Sequence, residues 1–382
     1  MRRYRVVQWM MVLALTLLPA CRTASSPPGD VLILALAAPF SGEFSLLGQS
    51  TYNGVVLAAE EWNQRGGVLG RPVQIVTVDT RCEYEGGRAA AQEAISEYGA
   101  QFIVGAICAR ASEGVAQVAS ELGVLQITPA SVHLDLTTRP DGTVRPYVFR
   151  VPFVDRDQGS VAATFALESL GAQRAAILYP RRNTYAQALV DAFAETFSAG
   201  QGEIVAQQAY NPEDAEFYNV LQDAREAEPD VIYMPGYYDV ANRLVGQARA
   251  FGLLQPIIGS DGWDSPALDM QVTAGSYFTT HYAPQEPRAA VQAWIQRYEA
   301  RYIVPPDDLA TMGYDATNVL LNAISRAGVI APLYVVPTLE DTTFGEAVTG
   351  PLYFDALHNP VKPVPIVRVE GGQIVFVDRR LP

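Results

Sequence analysis

Short apolar runs alternate with amphipathic stretches along most of the 382-residue chain. Apolar runs of about four to eight residues are typical of buried strands, and apolar residues three and four positions apart are typical of helices. The pattern predicts strands at 31–38, 73–79, 102–104, 125–128, 147–151, 175–179 and 231–234. It predicts a helix ending at Gly66-Gly67 and helices over 86–97, 115–122, 186–197, 289–301 and 311–326. Repeated strand–helix units indicate α/β architecture, with parallel sheets covered by helices on both faces.

The strand–helix rhythm starts afresh after residue 151, which indicates two doubly wound parallel-sheet lobes. The chain length is also typical of two domains. The helices at 289–301 and 311–326, with a tail from Val364 that turns at Gly371-Gly372, are too few for a third domain. We therefore expect these late segments to complete the two lobes, which requires a hinge that the chain crosses several times.

The N-terminus carries the features of an export signal. Three arginines precede an apolar stretch that is shorter than the roughly 20 residues needed to span a bilayer. The run Leu18-Pro19-Ala20-Cys21 is similar to a bacterial lipobox, although Pro19 is unusual at its position. Two interpretations stay open: a signal peptide over 1–20 with lipid on Cys21 and a tether over 21–29, or a plain signal peptide cleaved nearby. Both predict a protein outside the cytoplasm, periplasmic or at the cell surface.

The charge argues against nucleic acid as a partner. Residues 1–20 hold three arginines and no acid, so their removal takes the formal net charge from −14 to −17. Nucleic-acid binding needs basic patches. Lys362 is the only lysine, and the sequence offers no functional reason for that bias.

The sequence contains no motif that demands catalysis. It has no glycine-rich phosphate loop, no His-Glu-x-x-His and no Gly-x-Ser-x-Gly. His133, His281 and His358 are scattered, so we expect neither a metal site nor a cofactor. Asp261 and Asp264 could do acid–base work in principle, but loop or capping roles are commoner for such a pair.

Several segments in order resemble the leucine/isoleucine/valine-binding protein family, the type I periplasmic binding proteins of ABC importers. The longest is Asn-Gln-Arg-Gly-Gly-Val-Leu-Gly-Arg-Pro-Val at 63–73. The others are Pro-Phe-Ser-Gly at 39–42, Gly48, Gly-Ala-Ile-Cys at 105–108, Ile-Thr-Pro-Ala-Ser at 127–131 and Val-Thr-Gly-Pro-Leu-Tyr-Phe at 348–354. The similarity covers essentially the whole mature chain. It implies lobes over 30–150 plus 279–352 and 151–278 plus 353–382, which close on a small ligand.

The resemblance also implies a disulfide and a set of ligand contacts in the first lobe. A cysteine pair in the family spans the positions of Cys82 and Cys108. Family members that bind aliphatic amino acids hold the ligand carboxylate with two hydroxyls, but Ala109 and Val132 stand at those positions here. In place of the two hydroxyls, the ligand carboxylate would be held by backbone N–H groups, by Ser131 with nearby Ser112, and by Arg110. For Arg110, the role of a solvated loop cation is equally open. Leu47 would be an apolar wall of the pocket.

The second lobe keeps more of the family pattern. Tyr185 and Tyr237 match the aromatic residues that cover the ligand, and Asp261 matches the acid that pairs with the ligand ammonium, here shortened from Glu. Without the resemblance, the tyrosines would more often be packing residues and Asp261 a turn residue beside glycine.

These features predict a membrane-tethered, monomeric solute-binding lipoprotein rather than an enzyme. Its ligand would be a small amino acid, branched-chain-like, or a related carboxylate or amide, delivered to the membrane subunits of an ABC permease. The alternative is a sensing or regulatory lipoprotein of the same fold that controls a membrane enzyme or receptor. An extracellular hydrolase on this scaffold is a distant third.

Overall fold

The computed structural model describes residues 31–382. The predicted signal peptide (1–20), the tether (21–29) and the lipidation site Cys21 therefore lie outside the described residues, and these predictions stay untested.

The first sheet has five strands, all parallel, in the order β2-β1-β3-β4-β5. Strands β1, β3, β4 and β5 are almost wholly buried because both faces of the sheet are covered, as continuous apolar runs predict. The strands are β1 Leu32–Ala38, β2 Val73–Asp79, β3 Phe102–Gly105, β4 Leu125–Thr128 and β5 Val148–Arg150.

Six helices accompany this sheet, three from early in the chain and three from late. The early ones are α1 Ser45–Gln64, α2 Tyr84–Ser96 and α3 Ala109–Leu122; the late ones are labelled α8 Ala289–Tyr302, α9 Asp308–Ala327 and α10 Pro332–Glu340 in chain order. Helix α8 packs on α1 and α9 rather than on the strands. Residues of α9 and α10 share one hydrophobic core with strands β1, β3 and β4. Helices α9 and α10 thus complete the helical layers of the first lobe, as predicted for the late segments.

The second sheet has seven strands in the order β14-β13-β10-β9-β8-β6-β7. Its members are β6 Arg174–Pro180, β7 Glu203–Tyr210, β8 Val231–Tyr233, β9 Ile257–Gly259, β10 Tyr277–Thr279, β13 Val364–Glu370 and β14 Gln373–Arg380. Strands β6 to β10 pair in parallel, whereas β13 and β14 form an antiparallel edge that turns at Gly371-Gly372. Four helices accompany this sheet: α4 Asp155–Glu168, α5 Thr184–Ala199, α6 Tyr218–Glu226 and α7 Tyr238–Ala250.

The chain passes between the two sheets three times. It leaves the first sheet after β5 and returns to the first lobe after β10, where helices α8 to α10 follow. It reaches the second sheet again at β13. A two-stranded sheet, β11 Tyr353–Phe354 with β12 Pro360–Val361, precedes the last passage. The α/β fold with two lobes and several crossings is therefore as predicted, and the exact lobe boundaries stay a prediction.

Cys82 and Cys108 are joined by a disulfide, with 5.2 Å between their Cα atoms. Cys82 follows β2 and Cys108 follows β3, the two neighbours of β1 in the sheet. The disulfide therefore ties together two loops at the carboxyl edge of the first sheet.

Within residues 31–382, no single helix is both long and apolar enough to cross a membrane. Helices α9 and α10 meet that requirement only as a pair, and they bend by 108° where they join.

Candidate functional site

The first-lobe candidates all follow strands of the first sheet. Leu47 lies in the first turn of α1, which follows β1; Ala109 and Arg110 begin α3, which follows β3; and Ser131 and Val132 follow β4. Carboxyl ends of parallel strands lie at one edge of a sheet, where open α/β proteins bind ligands. The structure thus gathers these five residues at one sheet edge, without direct contacts between their side chains.

The N-terminus of α3 provides backbone donors at this edge. The first intrahelical hydrogen bond runs from Ser112 N–H to Cys108 O at 2.9 Å, so the N–H groups of residues 109–111 precede it. Ala109 and Arg110 are exposed to solvent. A helix N-terminus with exposed N–H groups favours an anion such as a carboxylate.

Thr128 joins the loops that follow β3 and β4. Its hydroxyl donates to Ala106 O at 2.6 Å and accepts from Ser131 N–H at 3.1 Å. Ser112 Oγ also donates to Ala106 O, at 3.0 Å, so this hydroxyl is engaged inside the lobe. The Ser131 hydroxyl is buried and has no hydrogen-bond partner among the described residues, which leaves Ser131 as the better of the two nearby hydroxyls for a ligand.

The second-lobe candidates contact one another directly. The rings of Tyr185 and Tyr237 stack with centroids 5.4 Å apart. Tyr185 OH donates a hydrogen bond to Asp261 Oδ1 and lies 2.9 Å from Ser260 Oγ. Tyr237 is 48% exposed, so one of its faces is available to a ligand.

Gly262 allows these loops to approach closely. A Cβ at position 262 would lie only 2.3 Å from Gly236 O, so any larger residue would push the two loops apart. Gly262 N–H also donates to Tyr185 OH at 3.1 Å. The glycine beside Asp261 thus permits the packing that brings Tyr185, Tyr237 and Asp261 together.

Asp261 is held by partners that the sequence did not reveal. Gln158 Nε2 donates to Asp261 Oδ1 at 2.9 Å, and His281 Nε2 lies 3.2 Å from Asp261 Oδ2. Burial alone would raise the pKa of the Asp261 carboxyl, but the hydrogen bond and charge of His281, with those of Tyr185 and Gln158, outweigh burial and hold the pKa below its usual value. Asp261 is therefore an anion at neutral pH.

The same environment keeps Tyr185 neutral. Burial, followed by the negative charge of Asp261, raises the pKa of Tyr185 well above its ordinary value. A neutral phenol is a hydrogen-bond donor, so Tyr185 stabilises the Asp261 carboxylate rather than competing with it.

A second carboxylate lies near Asp261. Asp155, at the start of α4, is 7% exposed, and burial together with the charge of Asp261 raises its pKa to about 8 against the opposing effect of Arg150. The protonated form of Asp155 therefore predominates at neutral pH. Asp264, the other member of the pair noted in the sequence, accepts a hydrogen bond from Thr280 Oγ1 at 2.5 Å, which is a structural role.

A cavity of about 780 Å³ lies elsewhere on the first lobe, and none of the predicted site residues lines it. Its walls come from α1, α8, α9 and the segment 343–348, with Glu61, Arg297 and Tyr314 among them. No group of three or more potential metal ligands occurs within residues 31–382.

The sequence singled out Tyr185, Tyr237 and Asp261 through family resemblance, and the structure brings them together. It did not single out Gln158 or His281. Helix α4, which carries Gln158, was not predicted at all, and His281 is 20 positions beyond Asp261 in the chain. One available signal was the polar run Thr279-Thr280-His281 directly after a short apolar strand, the position where parallel-sheet proteins place functional residues.

Two α/β lobes, three crossings and polar clusters at the carboxyl edges of both sheets define a two-lobed α/β ligand-binding protein. Residues 33–373 match the family model described as periplasmic binding protein. The chain therefore belongs to the periplasmic binding protein family, whose members are extracytoplasmic solute-binding proteins, and it has the type I fold.

Individual relatives agree with this assignment. A Leu/Ile/Val-binding protein of Rhizobium johnstonii is 30% identical over 325 residues, covering 84% of this chain and 85% of that protein. A leucine-binding protein from Thermotoga maritima is 30% identical, with a TM-score of 0.73 over 92% of this chain and 99% of that chain. A branched-chain amino acid transporter substrate-binding protein from Streptococcus pneumoniae, solved with isoleucine, is 25% identical, with a TM-score of 0.75 over 92% of this chain and 100% of that chain. The prediction of a binding protein rather than an enzyme agrees with these relatives.

Proposed function

We propose that this protein is the solute-binding lipoprotein of an ABC importer, and that it captures a small amino acid or a related carboxylate or amide between its lobes. The observation that carries the proposal is the contact of Tyr185, Tyr237 and Asp261 at one sheet edge. A stacked aromatic pair beside a fixed anion is suited to a small polar ligand with an apolar part. The relatives that bind leucine, isoleucine and valine support a branched-chain-like ligand.

The first lobe supplies the complementary half of the proposed site. The N-terminus of α3, Arg110 and the unpartnered hydroxyl of Ser131 would hold a carboxylate, and Leu47 and Val132 would contact its apolar part. Ala109 contributes its backbone N–H. Binding works by lobe closure: a ligand that contacts both lobes favours the closed state by the difference in its affinity for the closed and open forms.

A thermal-shift screen over amino acids, their amides and organic acids tests the ligand class. A ligand at about 100 times its dissociation constant adds about 2.7 kcal/mol to the free energy of unfolding, which is readily detected. Tyr237→Ala should weaken binding of every compound that shifts wild type. The matched control is Tyr334→Ala. Tyr334 is also an exposed tyrosine but lies on α10, away from the proposed site, so this variant should leave binding unchanged. Absence of a shift with all three compound classes would reject the proposal.

The proposed membrane attachment requires its own experiment. We propose that lipid on Cys21 anchors the protein as a monomer, so that it meets the permease at the membrane surface. Cys21→Ala should release the protein from the membrane fraction into the soluble extracytoplasmic fraction. The mass of the wild-type N-terminal peptide should exceed that of its amino acids by a diacylglycerol group. An unmodified mature N-terminus would show the plain signal peptide instead.

A further inference from the structure

The carboxylate of Asp261 is supplied with partners by the protein itself. Oδ1 accepts from Tyr185 OH and from Gln158 Nε2, and Oδ2 is paired with His281 Nε2 at 3.2 Å. An ionised carboxylate offers about four acceptor positions, so three are taken before any ligand arrives. A ligand cation at Asp261 would have to share this carboxylate or displace one of its partners.

Gln158 cannot readily give way. Its Oε1 accepts from Asp261 N–H at 2.7 Å and from Thr279 Oγ1 at 2.5 Å, which fixes the amide with Nε2 pointing at Asp261. Reversing the amide would place an NH₂ group against two donors. The donor to Asp261 Oδ1 is therefore a built-in feature of the fold.

His281 is held as firmly on the other oxygen. Its ring stacks on Phe153 with centroids 3.8 Å apart and an interplanar angle of 22°, and its side chain is 13% exposed. A stacked and largely buried imidazole has few alternative positions. Its second nitrogen, Nδ1, is buried and has no hydrogen-bond partner in the described part of the chain.

The neighbouring carboxylates do not call for a further cation. Burial and the charge of Asp261 keep Asp155 protonated at neutral pH, with a pKa of about 8. Asp264 accepts a hydrogen bond from Thr280 Oγ1. Asp308, on α9, is exposed to solvent. Asp261 is thus the carboxylate in direct contact with His281, whose Nε2 takes up one of its acceptor positions.

We propose that His281 is a specificity-determining residue that occupies the place of a ligand ammonium on Asp261, so that the cleft selects small carboxylates without an α-ammonium group. This inference rests on the proposed function and narrows its ligand class. An α-ammonium would have to displace Nε2 of His281 from Asp261 and leave a largely buried imidazole unpaired, which costs affinity. An α-oxo oxygen or an unsubstituted α-carbon needs no place on Asp261 and avoids that conflict.

Calorimetric titration with ligands matched in shape tests the proposal. The probes are L-leucine, 4-methyl-2-oxopentanoate and 4-methylpentanoate, which share one carbon skeleton, and equivalent trios of any other skeleton that the thermal-shift screen selects. Wild type should bind a member without the amine at least tenfold more tightly than the amino acid. His281→Ala should reduce or reverse this ratio by at least tenfold, and His281→Lys, which keeps a nitrogen donor, should preserve it.

The outcomes separate the two proposals. Tighter binding of the amino acid by wild type, lost in Asp261→Asn, would overturn the role of His281 while the solute-binding function stands. An unchanged ratio in a folded His281→Ala variant would also overturn it. Absence of binding across the whole panel would overturn the proposed function and the inference together. If His281→Ala fails to fold, the order of wild-type affinities for the amino acid and its analogues without the amine still tests the proposal.

Discussion

Lys362 donates a hydrogen bond from Nζ to Thr349 Oγ1 at 2.5 Å, and Thr349 in turn donates to Asp315 Oδ2 at 2.6 Å. The only lysine of the chain is thus fully buried in a polar relay. Its Nζ also lies 3.3 Å from Val151 O, on the first crossing between the lobes. Burial lowers the pKa of Lys362 to about 7, although the charge of Asp315 opposes the shift. This relay connects the first crossing with the segment that leads into the last one.

Replacing Lys362 by methionine should destabilise the protein, because the buried Asp315 carboxylate would lose its cation. We expect a loss of about 3 kcal/mol in the free energy of unfolding, typical of removing one partner of a buried pair. Removing both charges in Lys362→Met/Asp315→Asn should recover part of the loss. Urea unfolding at pH 6.5 measures both values. Equal stability of the single variant and wild type would show that the relay does not stabilise the fold.

The burial of Lys362 also predicts its chemical behaviour. An amine-reactive ester should leave Lys362 unmodified in the native protein, because the side chain is 0% exposed. The same reagent should modify it completely after unfolding in guanidinium. Peptide mass spectrometry after timed labelling distinguishes the two states, and addition of a ligand that closes the lobes should not increase labelling. Rapid modification under native conditions would show that the crossing opens far more often than this packing implies.

The disulfide should contribute most of its stabilisation by restricting the unfolded chain. Cys82 and Cys108 enclose a loop of 26 residues. The chain-entropy model gives about 3–4 kcal/mol for such a loop. Cys82→Ser/Cys108→Ser should lower the free energy of unfolding by about that amount, measured by urea unfolding under non-reducing conditions. An unchanged midpoint would mean that the native state gains nothing from the bridge.

Apolar periodicity was sufficient to predict the strands of the first sheet, because both faces of most of them are covered and only apolar residues fit. The buried strands β9 and β10 were missed because each has only three residues. Strands β2 and β4 begin and end where predicted, at Val73–Asp79 and Leu125–Thr128. Strand β7 (Glu203–Tyr210) was missed because it is an edge strand with exposed and half-buried polar positions. Helix α4 was missed because its buried face includes the polar residues Asp155 and Gln158, which blur the periodic pattern.

The site was predictable only in part, because some of its polar side chains come from segments that are far apart in the sequence. Tyr185, Tyr237 and Asp261 occur in segments that resemble a known family, so their roles could be carried over one by one. Gln158 and His281 reach Asp261 from different crossings of the chain, 103 positions before it in the case of Gln158. A one-dimensional pattern does not show which polar side chains from separate crossings meet in space.

Helices α1 and α9 cross with their backbones in contact at Gly54. A Cβ added at Gly54 would lie 1.8 Å from Ala310 O, so alanine cannot be accommodated without moving one helix. We expect Gly54→Ala to cost at least about 2 kcal/mol of unfolding free energy. Gly345→Ala is the control, because a Cβ there meets no atom within 4 Å, and it should change stability by no more than about 0.5 kcal/mol. Equal melting temperatures for the two variants would contradict the close helix crossing.

Asp155 should make the stability of the ligand-free protein fall as the pH rises. Its pKa is raised from 3.8 to about 8 in the folded protein, so the folded state holds a proton that the unfolded state has released between these values. Stability from this group is therefore greatest at low pH and is lost as the pH rises towards 8. A single group of this kind changes the free energy of unfolding by up to about 1.4 kcal/mol per pH unit.

Asp155→Asn should remove this slope, and the pH range can be chosen to isolate it. Asp157 and Asp308 have pKa values raised to about 6, so their contribution to a falling slope is largely complete above pH 6.5. Lys362, with a pKa lowered to about 7, contributes the opposite sign above that pH, and it does so equally in wild type and variant. The difference in unfolding free energy between Asp155→Asn and wild type should thus grow in favour of the variant from pH 6.5 to 8. Asp341→Asn, at an exposed position, should show no such growth. A constant difference would mean that Asp155 is ionised in the folded protein and that Arg150 compensates its charge.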